Sequence, residues 1–175
     1  MKTMMLAASL AVMATPALAG WVSNEIKTPI DGRAGVKVHM SGIAILGNGK
    51  TVPAHLVIRC LQKSTDAYVY ADRQSMPFDA RMNFAYHTDT AVRYKVNDAP
   101  IAKGNWNASL DNDAVGLWRG AAIPWLKVLA KADKGEAVKL TIEARGMRGD
   151  SSYQFDVAGI KEALAPIAKE CGWAP

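Results

Sequence analysis

The two cysteines constrain this chain more than any other feature. Cys60 ends "HLVIRC" and Cys171 lies in the terminal "AKECGWAP". Chain ends are usually poorly ordered unless tied down, yet Cys171 stands beside Gly172 and Trp173. A Cys60–Cys171 bond would tie the terminus to the middle of the chain. It would close a loop on the order of 100 residues, which loop-entropy reasoning values at roughly 4–5 kcal/mol. Two free thiols or a bridge between molecules are the alternatives. A metal site built on two cysteines lacks its other ligands.

The first residues favour the bond. Lys2, the apolar run "MMLAASLAVMA" and "ALA" at 17–19 have the order of a secretory signal peptide, with cleavage expected after Ala19. The apolar run is shorter than the ~20 residues a membrane span needs, and no cysteine follows "ALA" to carry a lipid. The expected location is therefore periplasmic or secreted, where a disulfide persists. No membrane span is expected after signal cleavage. The domain reading is a signal peptide over 1–19, a flexible lead-in over 20–35 and a single α+β domain over 36–175.

The formal net charge is +5. The bases are scattered, with no basic stripe or recognisable module for nucleic acid, so no nucleic-acid partner is expected. A mildly basic surface suits an acidic or envelope partner.

Hydrophobic alternation predicts short strands. Val36, Val38 and Met40, then Ile43 and Ile45, suggest one strand bent at Gly42 or two short ones. In "PAHLVIRC", Leu56, Ile58 and Cys60 share a face opposite His55, Val57 and Arg59. "DAYVYAD" sets Tyr68 and Tyr70 against Ala67, Val69 and Ala71, and "QKST" between the two runs suggests a hairpin. "AVRYKV" (91–96) sets Val92, Tyr94 and Val96 against Arg93 and Lys95. Trp106 is expected to be buried. Residues 120–136 predict a helix with Pro124 in its first turn and Trp125, Val128 and Leu129 at helical spacing. Strands follow at 137–144 and 153–159, then a closing helix kinked or broken near Pro166. The sum is an α+β fold: a mainly antiparallel, sandwich-like sheet with one or two packed helices.

The chemistry-bearing residues form no motif. His39, His55 and His87 share no metal-binding spacing, and no metal or cofactor is expected. The chain has no nucleophile elbow, phosphate loop or dinucleotide fingerprint. "DND" (111–113) suits a turn, and "RGD" (148–150) falls where a turn is needed. "NAS" (107–109) matches a glycosylation sequon too short to carry weight. The softer candidate is a basic patch. If the strands of His55 and Arg59 and of Arg93 and Lys95 pair, these four side chains share an outer face. Ordinary outward charge on a one-sided sheet is the simpler reading.

Several pieces occur in a recognisable order: "LVIRC" (56–60), "AYVY" (67–70), "VRYKVND" (92–98), Trp106 with Ser109, the helix after 120, and "FDVAG", "EAL" and "CGW" between 155 and 173. This order resembles the VasI-like family of periplasmic accessory proteins associated with type VI secretion. Lys95 stands where that pattern has arginine. The stretch "FDVAGIKEAL" is also similar to the end of invasion-associated locus B proteins. No established catalytic residues come with either resemblance. Together they imply an exported accessory or binding protein without catalysis, acting on envelope proteins, in an oligomeric state the sequence does not set. The alternative is a periplasmic inhibitor of a cell-wall hydrolase, similar to lysozyme inhibitors. An envelope enzyme would need an arranged nucleophile, base or metal set, which the sequence does not offer.

Overall fold

The computed structural model describes residues 20–28, 32, 34–72, 90–109, 113–134, 137–146 and 149–175. The signal-peptide reading, His87 and most of 73–90 lie outside the described residues. Those described form nine strands and two helices. The strands are β1 (Trp21–Lys27), β2 (Ala34–Ile45), β3 (Thr51–Leu61), β4 (Ser64–Ala71), β5 (Thr90–Val96), β6 (Ala102–Ala108), β7 (Ala114–Leu117), β8 (Lys139–Gly146) and β9 (Gly149–Asp156). The helices are α1 (Ala122–Ala132) and α2 (Ile160–Cys171).

The sheet order is β1-β2-β3-β4-β7-β6-β5-β8-β9, with a further pairing of β2 to β9. That pairing closes β2 to β9 into an eight-stranded antiparallel barrel and leaves β1 outside the ring. The expected β-rich α+β character and the disulfide hold; the sandwich-like arrangement does not. The physical reason lies in β2, whose one edge serves two partners. Its first part, Ala34–Met40, pairs with β1. Beyond Gly42, the residues Ile43, Ala44 and Ile45 pair with Gln154, Tyr153 and Ser152 of β9. At Gly42 a Cβ would collide with the Gln154 carbonyl oxygen and the Phe155 ring. The bend expected at this glycine is where the strand exchanges partners, and closure removes the open edges a sandwich would keep.

The inward faces follow the predicted alternation. Leu56, Ile58 and Cys60 of β3, Ala67 and Val69 of β4, Leu140 and Ile142 of β8, and Tyr153 and Phe155 of β9 are buried. Gln62 and Lys63 both have positive φ, 53° and 62°, as the two-residue hairpin turn between β3 and β4 requires. Within the lead-in, Trp21–Lys27 forms β1. Trp21 is buried, and its indole N–H donates to the Ala158 carbonyl at 3.0 Å.

Both helices pack on the inner side of the sheet. From α1, Trp125 meets Trp106 of β6 edge-on, with ring centroids 5.1 Å apart, an arrangement aromatic quadrupoles favour. Val128, expected on the apolar stripe, is 52% exposed; the buried stripe runs through Trp125, Leu126, Leu129 and Ala130 instead. Helix α2 continues through Pro166 without a break. Leu164 and Ile167 on either side of the proline are fully buried, so packing holds the helix where the local preference would interrupt it. Cys171 at its end is bonded to Cys60, with Cα atoms 5.8 Å apart. No helix of the described residues is long and apolar enough to cross a membrane.

Candidate functional site

The outer faces of β3, β4 and β7 carry an aromatic wall. It arises from register. Tyr68 lies opposite Val57 on β3 and Gly116 on β7, and Tyr70 lies opposite His55 and Ala114. A Cβ at Gly116 would collide with Tyr68 and the Ala67 carbonyl oxygen, so the wall is low where the tyrosines face β7. The rings then associate across strands. His55 stacks on Tyr70 at 5.0 Å between centroids, Tyr70 and Tyr68 are 6.3 Å apart, and Tyr68 stacks on Trp118 at 5.2 Å. Val57 is 3% exposed although it points outward, because its two cross-strand neighbours are His39 and Tyr68.

Asp66 organises one end of this wall. Its carboxylate accepts from Arg59 Nε at 2.9 Å and from the Arg119 backbone N–H at 2.8 Å. Arg119 has φ 55°, an uncommon conformation for a side-chain-bearing residue, and the next residue, Gly120, donates its N–H to the Thr65 carbonyl. The turn after β7 is therefore fastened to β4. Arg59 also sets its guanidinium over the Tyr68 ring, 5.5 Å from the centroid, a cation–π contact. Trp118 is fixed from the other side, its indole N–H donating to the Asn107 carbonyl at 3.0 Å.

These groups surround an open depression of ≈ 820 Å³ whose lining runs from Arg59, Asp66, Tyr68 and Tyr70 to Asn107, Asp113, Trp118 and Arg119. Ser109 also lines it, but its hydroxyl donates to Asp113 Oδ1 and accepts from the Ala114 N–H. Ser109 thus ties the end of β6 to the start of β7; Asp111 and Asn112 of the expected "DND" turn lie outside the described residues.

Burial raises the affinity of Tyr68 for its phenolic proton; Arg59 opposes this, and Tyr70, Asp66 and Asp113 add to it. Tyr70 is raised by burial, then by Asp72 and Asp113. Both phenols hold their protons more tightly than an ordinary tyrosine and present hydroxyls that donate and accept. Beyond Tyr70 the wall continues to His55 and His39, 6.4 Å apart. Burial, then Lys37 and His55, lower the proton affinity of His39. The Nδ1 atoms of both histidines are buried with no hydrogen-bond partner among the described residues. No group of three or more His, Cys, Asp or Glu among the described residues is placed to hold a metal ion.

The four expected patch residues divide. His55 and Arg59 belong to the aromatic wall. Arg93 and Lys95 do not join them, because β4, β7 and β6 stand between β3 and β5. Arg93 instead bonds Glu143 of β8, and Lys95 lies 3.5 Å from Asp98. Sequence reading placed Tyr68 and Tyr70 on one face without making them a site. It missed β7 altogether, and with it Trp118. The available signal was two large aromatics on the face opposite Ala67, Val69 and Ala71. No protein-family model, curated protein or solved structure matches the chain.

Proposed function

We propose that this chain is an exported envelope protein that works by binding, with no chemistry of its own, through the outer wall of β3, β4 and β7. The observation that carries the reading is the row His55, Tyr70, Tyr68, Trp118, which runs from β3 over β4 to the turn after β7, with stacked contacts at both ends and a tilted one between the tyrosines, and is braced by Asp66. Large aromatic rings held in place outside the core lose little freedom when a partner covers them, which favours recognition. The family resemblance supports an accessory role in the periplasm, associated with a secretion system. The Cys60–Cys171 bond supports an oxidising compartment.

The test is affinity capture from native envelope extract with the exported, disulfide-bonded chain and with a Tyr68→Ala, Trp118→Ala double variant of matched fold. The variant is expected to lose the principal component that the wild type retains. Equal capture by both would remove the wall as the working surface. A hydrolase as that component, with its activity suppressed, would make the chain an inhibitor instead. The mass of the exported chain tests processing, and a start at Gly20 is expected.

A further inference from the structure

The geometry points to a neutral oligosaccharide as the ligand of the depression over β4, β7 and β6. This inference rests on the binding reading above and names its ligand class.

A sugar ring has two demands. Its C–H faces are apolar and pack on aromatic rings, and its rim of hydroxyls both donates and accepts. The depression meets both. Tyr68, Tyr70 and Trp118 supply the rings, and the protonated phenols, Asn107, Asp113 and the two arginines supply donors and acceptors around them. A volume of ≈ 820 Å³ lies within the usual range for ligand sites and has room for more than one sugar unit.

Charge argues against the main alternatives. The charged lining residues are Arg59, Arg119, Asp66 and Asp113, two cations against two anions. A polyanion such as single-stranded nucleic acid would be held by excess positive charge as well as by stacking, and this balance does not provide it. An extended peptide commonly adds to a free sheet edge, but β4 is paired with β3 on one side and β7 on the other. A ligand at this wall must therefore be recognised through side chains, by ring faces and hydroxyl-scale polar groups.

The site is also fixed in advance. Asp66 spans Arg59 on β3 and the backbone of Arg119 after β7, holding the latter at positive φ. Unusual backbone conformations held by their surroundings concentrate at functional sites, and here the held residue sits on the rim of the depression.

The experiment begins with a printed array of neutral and acidic oligosaccharides, probed with the labelled exported chain. Tryptophan fluorescence titrations with the leading sugar follow, with an oligothymidylate and an aromatic-rich peptide as competing ligand classes. We expect saturable binding of a neutral oligosaccharide, tighter for longer oligomers. Its affinity should be unchanged between about 50 and 200 mM salt, where phosphate-dependent binding falls steeply. Trp118→Ala and Tyr68→Ala should each weaken it about tenfold or more, and Arg93→Ala on β5 should leave it unchanged. Three results would overturn the inference: no neutral sugar bound on the array, binding indifferent to Trp118 and Tyr68, or a salt-sensitive oligothymidylate or the peptide as the tighter ligand. If capture of an envelope component still depends on Tyr68 and Trp118 while no sugar binds, the wall stands and the sugar falls. If neither depends on them, both readings fall together.

Discussion

Trp173 donates its indole N–H to Thr65 Oγ1 at 2.9 Å, and Thr65 is the cross-strand register partner of Cys60. The C-terminal segment is thus fixed twice to one pair of facing residues, covalently through Cys171 and by a hydrogen bond through Trp173. Lys63, in the turn just beyond that pair, adds a third tie by donating to the Glu170 carbonyl at 2.7 Å. The Thr65 carbonyl also receives the Gly120 N–H. The same strand position therefore anchors the tail on one side and the turn carrying Trp118 and Arg119 on the other.

The disulfide should behave as one unit. Cys60→Ser and Cys171→Ser are each expected to lower stability by a similar amount, about 2–5 kcal/mol. The double variant should cost little more than either, since both remove the same cross-link. Denaturant midpoints measure this, and additive losses would contradict a shared bond.

Asp66→Ala should destabilise the chain by about 2–3 kcal/mol, because two hydrogen bonds to a charged acceptor are lost and Arg59 is left without its carboxylate. Asp66→Asn should lose less. Amide exchange at Arg119 and Gly120 should accelerate in Asp66→Ala before exchange in β3 does. Unchanged protection at the turn would show that Asp66 does not hold it.

Gly42→Ala should open the barrel at its seam. The new methyl group must displace the Gln154 carbonyl or the Phe155 ring, and overpacking of this kind costs about 1–3 kcal/mol. Amide exchange should rise first in the Ile43–Ile45 and Ser152–Gln154 segments, with β3 and β4 slower to respond. A wild-type melting temperature would count against closure through this residue.

Acidification should weaken the fold through His39. Its proton affinity is lowered in the folded chain from an ordinary value of 6.5, so the unfolded chain binds that proton more readily. The stabilising contribution is present above pH 6.5 and is lost as pH falls through the depressed folded value. Melting temperatures taken from about pH 8 down to about pH 5 should decline, and His39→Gln should flatten the decline. An identical slope in the variant would place the effect elsewhere.

Much of the fold was legible because its signals are local. Strand alternation around Leu56 and Ile58 and the helix around Trp125 and Leu126 follow from residue spacing, and two cysteines leave one bond possible within the chain. The short strand Ala114–Leu117 was not legible. Four residues are too few for a period, and "AVGL" is held as a strand only by β4 and β6 beside it. The Arg93 and Lys95 face was read correctly as outward, but its neighbours depend on strand order, which no local pattern encodes.

By itself, the sequence determined the inward faces of β3, β4, β8 and β9, and that one bond could join residue 60 to residue 171. Periodicity and covalent chemistry act over a few residues or between unique partners, so they need no map of the whole. Tertiary structure decided that β2 changes partner at Gly42 and closes a barrel, and that Trp118 meets Tyr68. Both depend on which distant segments become neighbours. That choice is made by the packing of the whole core around its helices, and the aromatic wall is a product of it.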